Sequence, residues 1–251
     1  MIDIKNDRGI AVVTMSHGKA NALDTEFCDA LASRLHELAR SDARAVVLTG
    51  QGTMFSAGVD LKRYAAEGAG YIRTFLPALH RLYDAAFYLP KPLVAAVNGH
   101  AIAGGAVLAC CADRRVMAQG NGRVGITELL VGVPFPTLAF EIVRFAVPHR
   151  YFAEFVFGAA TYPAADALQR GWVDETAEPA ALMKRAMTIA QQFAALSWPA
   201  FVQTKRQIRQ AVAERYARNG AATDEAVTAI WTAPETLVFV RDYVARTLKT
   251  A

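Results

Sequence analysis

Residues 93–112 read Leu93-Val94-Ala95-Ala96-Val97-Asn98-Gly99-His100-Ala101-Ile102-Ala103-Gly104-Gly105-Ala106-Val107-Leu108-Ala109-Cys110-Cys111-Ala112, the most apolar run of the chain. A run of about 20 apolar residues is long enough to raise a membrane span. Pro92, Asn98, Gly99, His100, Gly104 and Gly105 break this one. It divides instead into a buried strand over Leu93–Val97, a tight turn at Asn98-Gly99, and a helix ending near Ala112. A strand with no polar alternation is covered on both faces, the situation of a parallel sheet between helices. The fold class that follows is α/β.

The same pattern occurs upstream. Ala45-Val46-Val47-Leu48-Thr49 is a second fully apolar strand, and it too ends in a small polar residue and a glycine, Thr49-Gly50. Each strand leads into a loop rich in Gly and Ala. Sheet-forming units repeated side by side would produce this echo, and so would coincidence. The first loop, Gly50 to Asp60, contains Ser56-Ala57-Gly58, small enough for a ligand to approach the backbone. If a helix begins near Asp60, its free N–H groups point into that loop. The second loop is Ala103-Gly104-Gly105. Two such loops at the ends of buried strands can aim two backbone N–H donors at one oxygen, an oxyanion hole. The alternative is two tight strand-to-helix turns with no ligand.

Further out, Ile2–Lys5 and Ile10–Met15 read as a hairpin around Asn6-Asp7-Arg8-Gly9. Asp24 or Thr25 caps a helix over Glu26–Arg40, with Phe27, Ala30, Leu31, Leu35 and Leu38 on one face. A helical stretch covers Tyr71–Tyr88, a strand covers Arg114–Ala118, and helices dominate after Glu128. No linker or low-complexity tract marks a second domain. The region after about Pro199 reads as helical and semi-independent.

Composition narrows the function classes. Of 251 residues, 53% are hydrophobic and 20% charged, which excludes disorder. A net charge of +4 suits an anionic small molecule and does not diagnose nucleic acid. Cys28, Cys110 and Cys111 form no CxxC, so neither a zinc site nor a disulfide framework is expected, and a reducing cytoplasm is the default. The N-terminus lacks the apolar core of a signal peptide. The five histidines lack metal-ligand spacing. Gly120-Asn121-Gly122-Arg123-Val124-Gly125 matches GxGxxG but has no βαβ context, so no dinucleotide site is expected. Lys205, Arg206, Arg209, Arg215 and Arg218 are expected on a solvated or subunit-facing helix face.

Phe55-Ser56-Ala57-Gly58-Val59-Asp60-Leu61-Lys62, with Ala96-Val97-Asn98-Gly99-His100-Ala101-Ile102-Ala103-Gly104-Gly105 and Cys111-Ala112-Asp113-Arg114-Arg115, resembles the crotonase superfamily of enoyl-CoA hydratases and isomerases. The resemblance implies a ββα spiral core over 1–198 and a helical C-terminal trimerisation region over 199–251. It implies an acyl-CoA thioester as ligand, with no separate cofactor and no metal, no nucleic-acid or membrane partner, and a homotrimer or hexamer. It places the oxyanion N–H groups on Val59 and Gly104. It places CoA and substrate contacts at Lys19, Ala20, Ala22, Ser56, Ala57, Gly58, Asp60, Leu61, Gly105, Thr127 and Phe135. Lys62 is either a CoA-phosphate contact or a solvated lysine.

Hydratases of this superfamily carry two glutamates. One falls on position 107, which is Val107 here; the other falls on Glu128. A single base suits a proton shuttle better than hydration. The resemblance therefore favours a Δ3,Δ2-enoyl-CoA isomerase of fatty-acid β-oxidation, similar to the mitochondrial type. The alternatives are a hydratase using one glutamate, and an acyl-CoA-binding paralogue without turnover. Glu141 could face the pocket but is expected to pair with Arg144 or a surface charge like Arg40, and His100 is expected to be structural.

Overall fold

The computed structural model describes residues 1–247. The chain opens with the hairpin β1 (Ile2–Asp7) and β2 (Ile10–Met15), paired antiparallel. Its turn residues Arg8 and Gly9 have φ of 53° and 80°, the left-handed pair that matches the twist of flanking strands. Helix α1 (Thr25–Arg40) is capped by Asp24, whose carboxylate accepts from the Phe27 N–H at 2.7 Å.

Three strand–strand–helix units follow. The first is β3 (Ala45–Gly50), β4 (Met54–Ser56), α2 (Leu61–Glu67) and α3 (Ala69–Phe87). The second is β5 (Leu93–Val97), β6 (His100–Ile102) and α4 (Gly104–Cys110). The third is β7 (Arg114–Ala118), β8 (Arg123–Gly125), α5 (Glu128–Val131) and α6 (Thr137–Ala146). Then come α7 (His149–Gly158), β9 (Tyr162–Pro163), α8 (Ala164–Arg170), β10 (Glu175–Ala177) and α9 (Leu182–Ala194). Two long helices close the chain, α10 (Trp198–Trp231) and α11 (Pro234–Thr247).

The first strand of each unit joins a six-stranded sheet of order β1-β2-β3-β5-β7-β10, parallel apart from the hairpin. The second strand joins a smaller sheet of order β4-β6-β8-β9. The echo noted in the sequence is thus a structural repeat, and its residues have a reason. The Asn98 amide accepts from the Gly50 N–H at 2.9 Å and donates to the Gly52 carbonyl at 2.9 Å. A Cβ on Gly99 would stand 1.8 Å from the Thr53 carbonyl oxygen, so only glycine lets one turn stack on the next. The small-sheet strands are three residues or fewer, too short for a period-2 pattern to register. The helical stretch expected at 71–88 begins at Ala69, and a separate α2 precedes it, ended by Gly68 at φ 67°.

The C-terminal helices correct one expectation. Lys205 and Arg209 are buried, 7% and 2% exposed, instead of facing solvent or a partner subunit. Asp113, at the head of β7, accepts from Lys205 Nζ at 2.7 Å, Arg209 Nη2 at 2.6 Å and the Leu93 N–H at 2.8 Å. The Arg209 guanidinium also lies 4.2 Å over the Phe87 ring. Burial lowers the Lys205 ammonium to about 8, with Asp113 pulling the other way. Charge period alone cannot reveal this, because the partner carboxylate is remote in sequence. Val212, Val227 and Trp231 of α10 and Val240 of α11 join the same apolar core as α1 and α3. No helix among the described residues is long and apolar enough to cross a membrane.

Candidate active site

Two loops meet where the small sheet ends. In the first, the N–H groups around Val59 are all engaged. Ala57 donates to the Ala20 carbonyl at 2.9 Å, Gly58 to the Ser56 hydroxyl at 3.1 Å, and Asp60 to the Leu23 carbonyl at 3.0 Å. The Val59 N–H between them donates to no acceptor among the described residues. In the second loop, Ala103 sits at φ 51°, ψ −123°, a region that strains any residue with a side chain. Its N–H is held by the Gly125 carbonyl at 2.8 Å. The turn presents Gly104, first residue of α4, whose N–H has no partner inside the helix. The loops touch: a Cβ on Gly58 would lie 2.9 Å from the Gly104 nitrogen and 2.6 Å from the Ile102 oxygen. Gly58 itself has φ 78°. Two unclaimed donors on abutting backbones can stabilise one developing oxyanion.

Val59 borders a cleft of about 650 Å³, and Gly104 follows Ala103, a residue of its wall. Lys19 and Lys62 are exposed, while Val131, Val133 and Trp231 are buried. The cleft therefore runs from a cationic rim to an apolar interior. Tyr243 and Thr247 of α11 complete the wall.

Glu128, the first residue of α5, also lines this cleft. It is 7% exposed, and its Oε2 has no hydrogen-bond partner. Burial pushes its carboxyl up to about 7, while backbone N–H groups at Thr127 and Glu128 pull it down. A carboxyl with that proton affinity can take up and release a proton near neutral pH. Val107 is buried within α4 and places no acid nearby.

Of the residues expected at a ligand site, Lys19, Ala20, Ala22, Ala57, Val59, Asp60, Leu61, Thr127 and Glu128 line the cleft. Ser56, Gly58, Gly104 and Gly105 lie next to the lining residues Ala57, Val59 and Ala103 rather than among them. A Cβ on Gly105 would lie 2.2 Å from the Ser56 oxygen, so these backbones press together and leave no room for a ligand between them. Phe135 lies in the apolar core, its ring 6.0 Å from Phe140, and Val133 takes the wall position. Asp60 caps α2 through the Arg63 N–H at 3.0 Å. Glu141 pairs with Arg144 at 2.8 Å and with Arg215, outside the cleft wall. His100 belongs to β6, opposite Met54. Sequence reasoning missed Ile102, Val131, Val133, Trp231, Tyr243 and Thr247. Val131 alone carried a signal, being one helical turn beyond Glu128.

Comparison with known proteins identifies the family. The family model described as Enoyl-CoA hydratase/isomerase matches residues 5–233. A putative enoyl-CoA hydratase of Thermus thermophilus is 33% identical over 198 residues, covering 77% of this chain and 78% of the relative. The human mitochondrial enoyl-CoA delta isomerase 1 is 28% identical over 211 residues, covering 82% and 70%. The crystal structure of human mitochondrial delta3-delta2-enoyl-CoA isomerase superposes with a TM-score of 0.93 at 24% identity, covering 99% of this chain and 98% of that one. At that identity the superposition speaks to the fold. The repeated ββα units, the paired backbone donors and the match across nearly the whole chain place this protein in the enoyl-CoA hydratase/isomerase family, within the crotonase superfamily.

Proposed function

We propose that the protein is a Δ3,Δ2-enoyl-CoA isomerase acting in fatty-acid β-oxidation. The observation that carries this reading is the pairing of one buried, unpartnered carboxyl oxygen on Glu128 with an aliphatic Val107 at the second acid position. Ionised Glu128 takes a proton from C2 of a 3-enoyl thioester. The electron pair of the C2–H bond forms a C1–C2 double bond as the carbonyl pair moves onto the thioester oxygen, and the dienolate oxygen is held by the N–H groups of Val59 and Gly104. The carboxylic acid then returns the proton at C4, leaving the double bond between C2 and C3. Atoms and electrons balance within the substrate, so no separate cofactor is needed. Lys19 and Lys62 at the rim suit the phosphates of a CoA ester, and the apolar interior suits its acyl chain. The same reading carries a homotrimeric or hexameric assembly.

A hydratase using Glu128 alone is the second reading, favoured by the hydratase names among the relatives. The deciding assay follows conjugation of 3-hexenoyl-CoA at the 2-enoyl chromophore, with hydration of crotonyl-CoA measured in parallel. Fast conjugation with little hydration is expected. Hydration alone would replace the isomerase reading with the hydratase, and silence in both would leave a non-catalytic acyl-CoA binder.

A further inference from the structure

The geometry points to Asn21 as a positioning residue for the Val59 oxyanion donor, an inference that rests on the proposed oxyanion chemistry. Asn21 is 2% exposed in the loop between β2 and α1, with a left-handed φ of 45°. Nearly every polar group it owns is engaged. Its side-chain oxygen accepts from the His17 N–H at 2.7 Å, and its own N–H donates to the His17 carbonyl at 3.0 Å. Its Nδ2 donates to the carbonyls of Met54 and Phe55 at 3.2 and 3.1 Å. Its carbonyl accepts from the Ser56 hydroxyl at 2.7 Å, and that hydroxyl in turn accepts from the Gly58 N–H at 3.1 Å.

The Asn21 side chain therefore ties the loop of Lys19, Ala20 and Ala22 to β4, and its main-chain carbonyl ties the same loop to Ser56, the last residue of β4 and three residues before Val59. The two bonds from Nδ2 hold the carbonyls of β4. The relay through Ser56 holds the Gly58 N–H, adjacent to the peptide whose N–H must stay free. The Gly58 carbonyl is held separately by the Leu23 N–H at 2.8 Å, so losing the Nδ2 bonds or the relay shifts the β4 end of the loop that presents the Gly58–Val59 peptide, and misplacement of about 1 Å in such a site costs up to about 10²-fold in rate. The contribution is confined to the transition state, because the donor meets an oxyanion only there.

The test uses Asn21→Asp and Ser56→Ala in the full chain. Asn21→Asp keeps size, the acceptor for His17 and tolerance of the left-handed backbone. It replaces the Nδ2 donor with an oxygen facing two carbonyls. The expected result is a fall of about 10–100-fold in kcat on 3-hexenoyl-CoA, with KM within about threefold and the pH midpoint unmoved, since Glu128 is untouched. Cooperative thermal unfolding verifies the fold, and Ser56→Ala decides the matter if Asn21→Asp does not fold. A kcat within threefold of wild type overturns the proposal. So does a rise in KM that accounts for the whole loss, which would make the residue a scaffold for CoA binding only.

A second readout separates this proposal from the isomerase reading. Acetoacetyl-CoA presents an enolate oxygen, and butyryl-CoA does not. If wild type turns over no 3-enoyl substrate, the ratio of their dissociation constants still reports the donor pair. A variant that loses about 10-fold of that preference with unchanged butyryl-CoA affinity supports the role of Asn21; an unchanged ratio overturns it.

Discussion

Glu128 and Asp113 are two carboxyl groups withdrawn from solvent, one on α5 and one at the head of β7, and the chain treats them in opposite ways. Asp113 is surrounded by donors: an ammonium, a guanidinium and a backbone N–H. Glu128 keeps one oxygen with no partner, and burial raises its proton affinity. The first arrangement locks a charge into place and joins α10 to the sheet. The second leaves a charge expensive to form, which is what a transferable proton requires. Burial alone does not decide whether a carboxyl is held as a charge or left free to bind a proton. The inventory of donors around each oxygen does.

The sharpest way to break this contrast is Glu128→Gln. The amide keeps the shape and cannot accept a proton, so kcat on 3-hexenoyl-CoA should fall by about 10²–10⁴ while CoA-ester binding persists. Activity retained in that variant removes Glu128 from the chemistry. The counterpart is Asp113→Ala, which leaves two buried cations uncompensated and should cost about 3–5 kcal/mol in urea unfolding. A loss below about 1 kcal/mol would show that Lys205 and Arg209 find other partners.

The contrast can be sharpened by pH. Folding raises the Glu128 carboxyl from an ordinary 4.5 to about 7, so between those values the native state holds a proton that the unfolded chain releases. Its contribution to stability is complete below about 4.5 and is lost as pH rises through about 7, a change of about 3 kcal/mol. Wild type measured against Glu128→Gln should reveal that slope. The activity of wild type should move the other way, rising through a midpoint near 7 as the base ionises. A midpoint near 4.5 would mean the carboxyl is solvated when substrate enters.

What was legible in the chain follows the same logic. The apolar strands Leu93–Val97 and Ala45–Thr49 announced a parallel sheet because nothing polar interrupts them. The short strands β4, β6 and β8 exist through pairing with segments remote in sequence, and three residues carry no period to read. Glu128 was legible from its surrounding motif, but its unpartnered oxygen was not, because that depends on which donors fail to arrive. Lys205 and Arg209 were misread because a basic helix face ordinarily meets water. Their partner lies on a strand far earlier in the chain. No pattern in the chain marks Asn21, because its five hydrogen bonds exist only once the loops fold.

The cleft draws its wall from Lys19 near one end of the described chain and from Tyr243 and Thr247 at the other. Folding must therefore bring residue 19 beside residues 243 and 247 before the pocket exists. Contacts of such sequence separation form late and slowly, because chain entropy is lost before they return anything. A chain still emerging from the ribosome can build its sheet while offering no finished cavity to an acyl ester. Substrate protection should correspondingly appear as the last kinetic phase of refolding, after the parallel sheet has already become resistant to exchange.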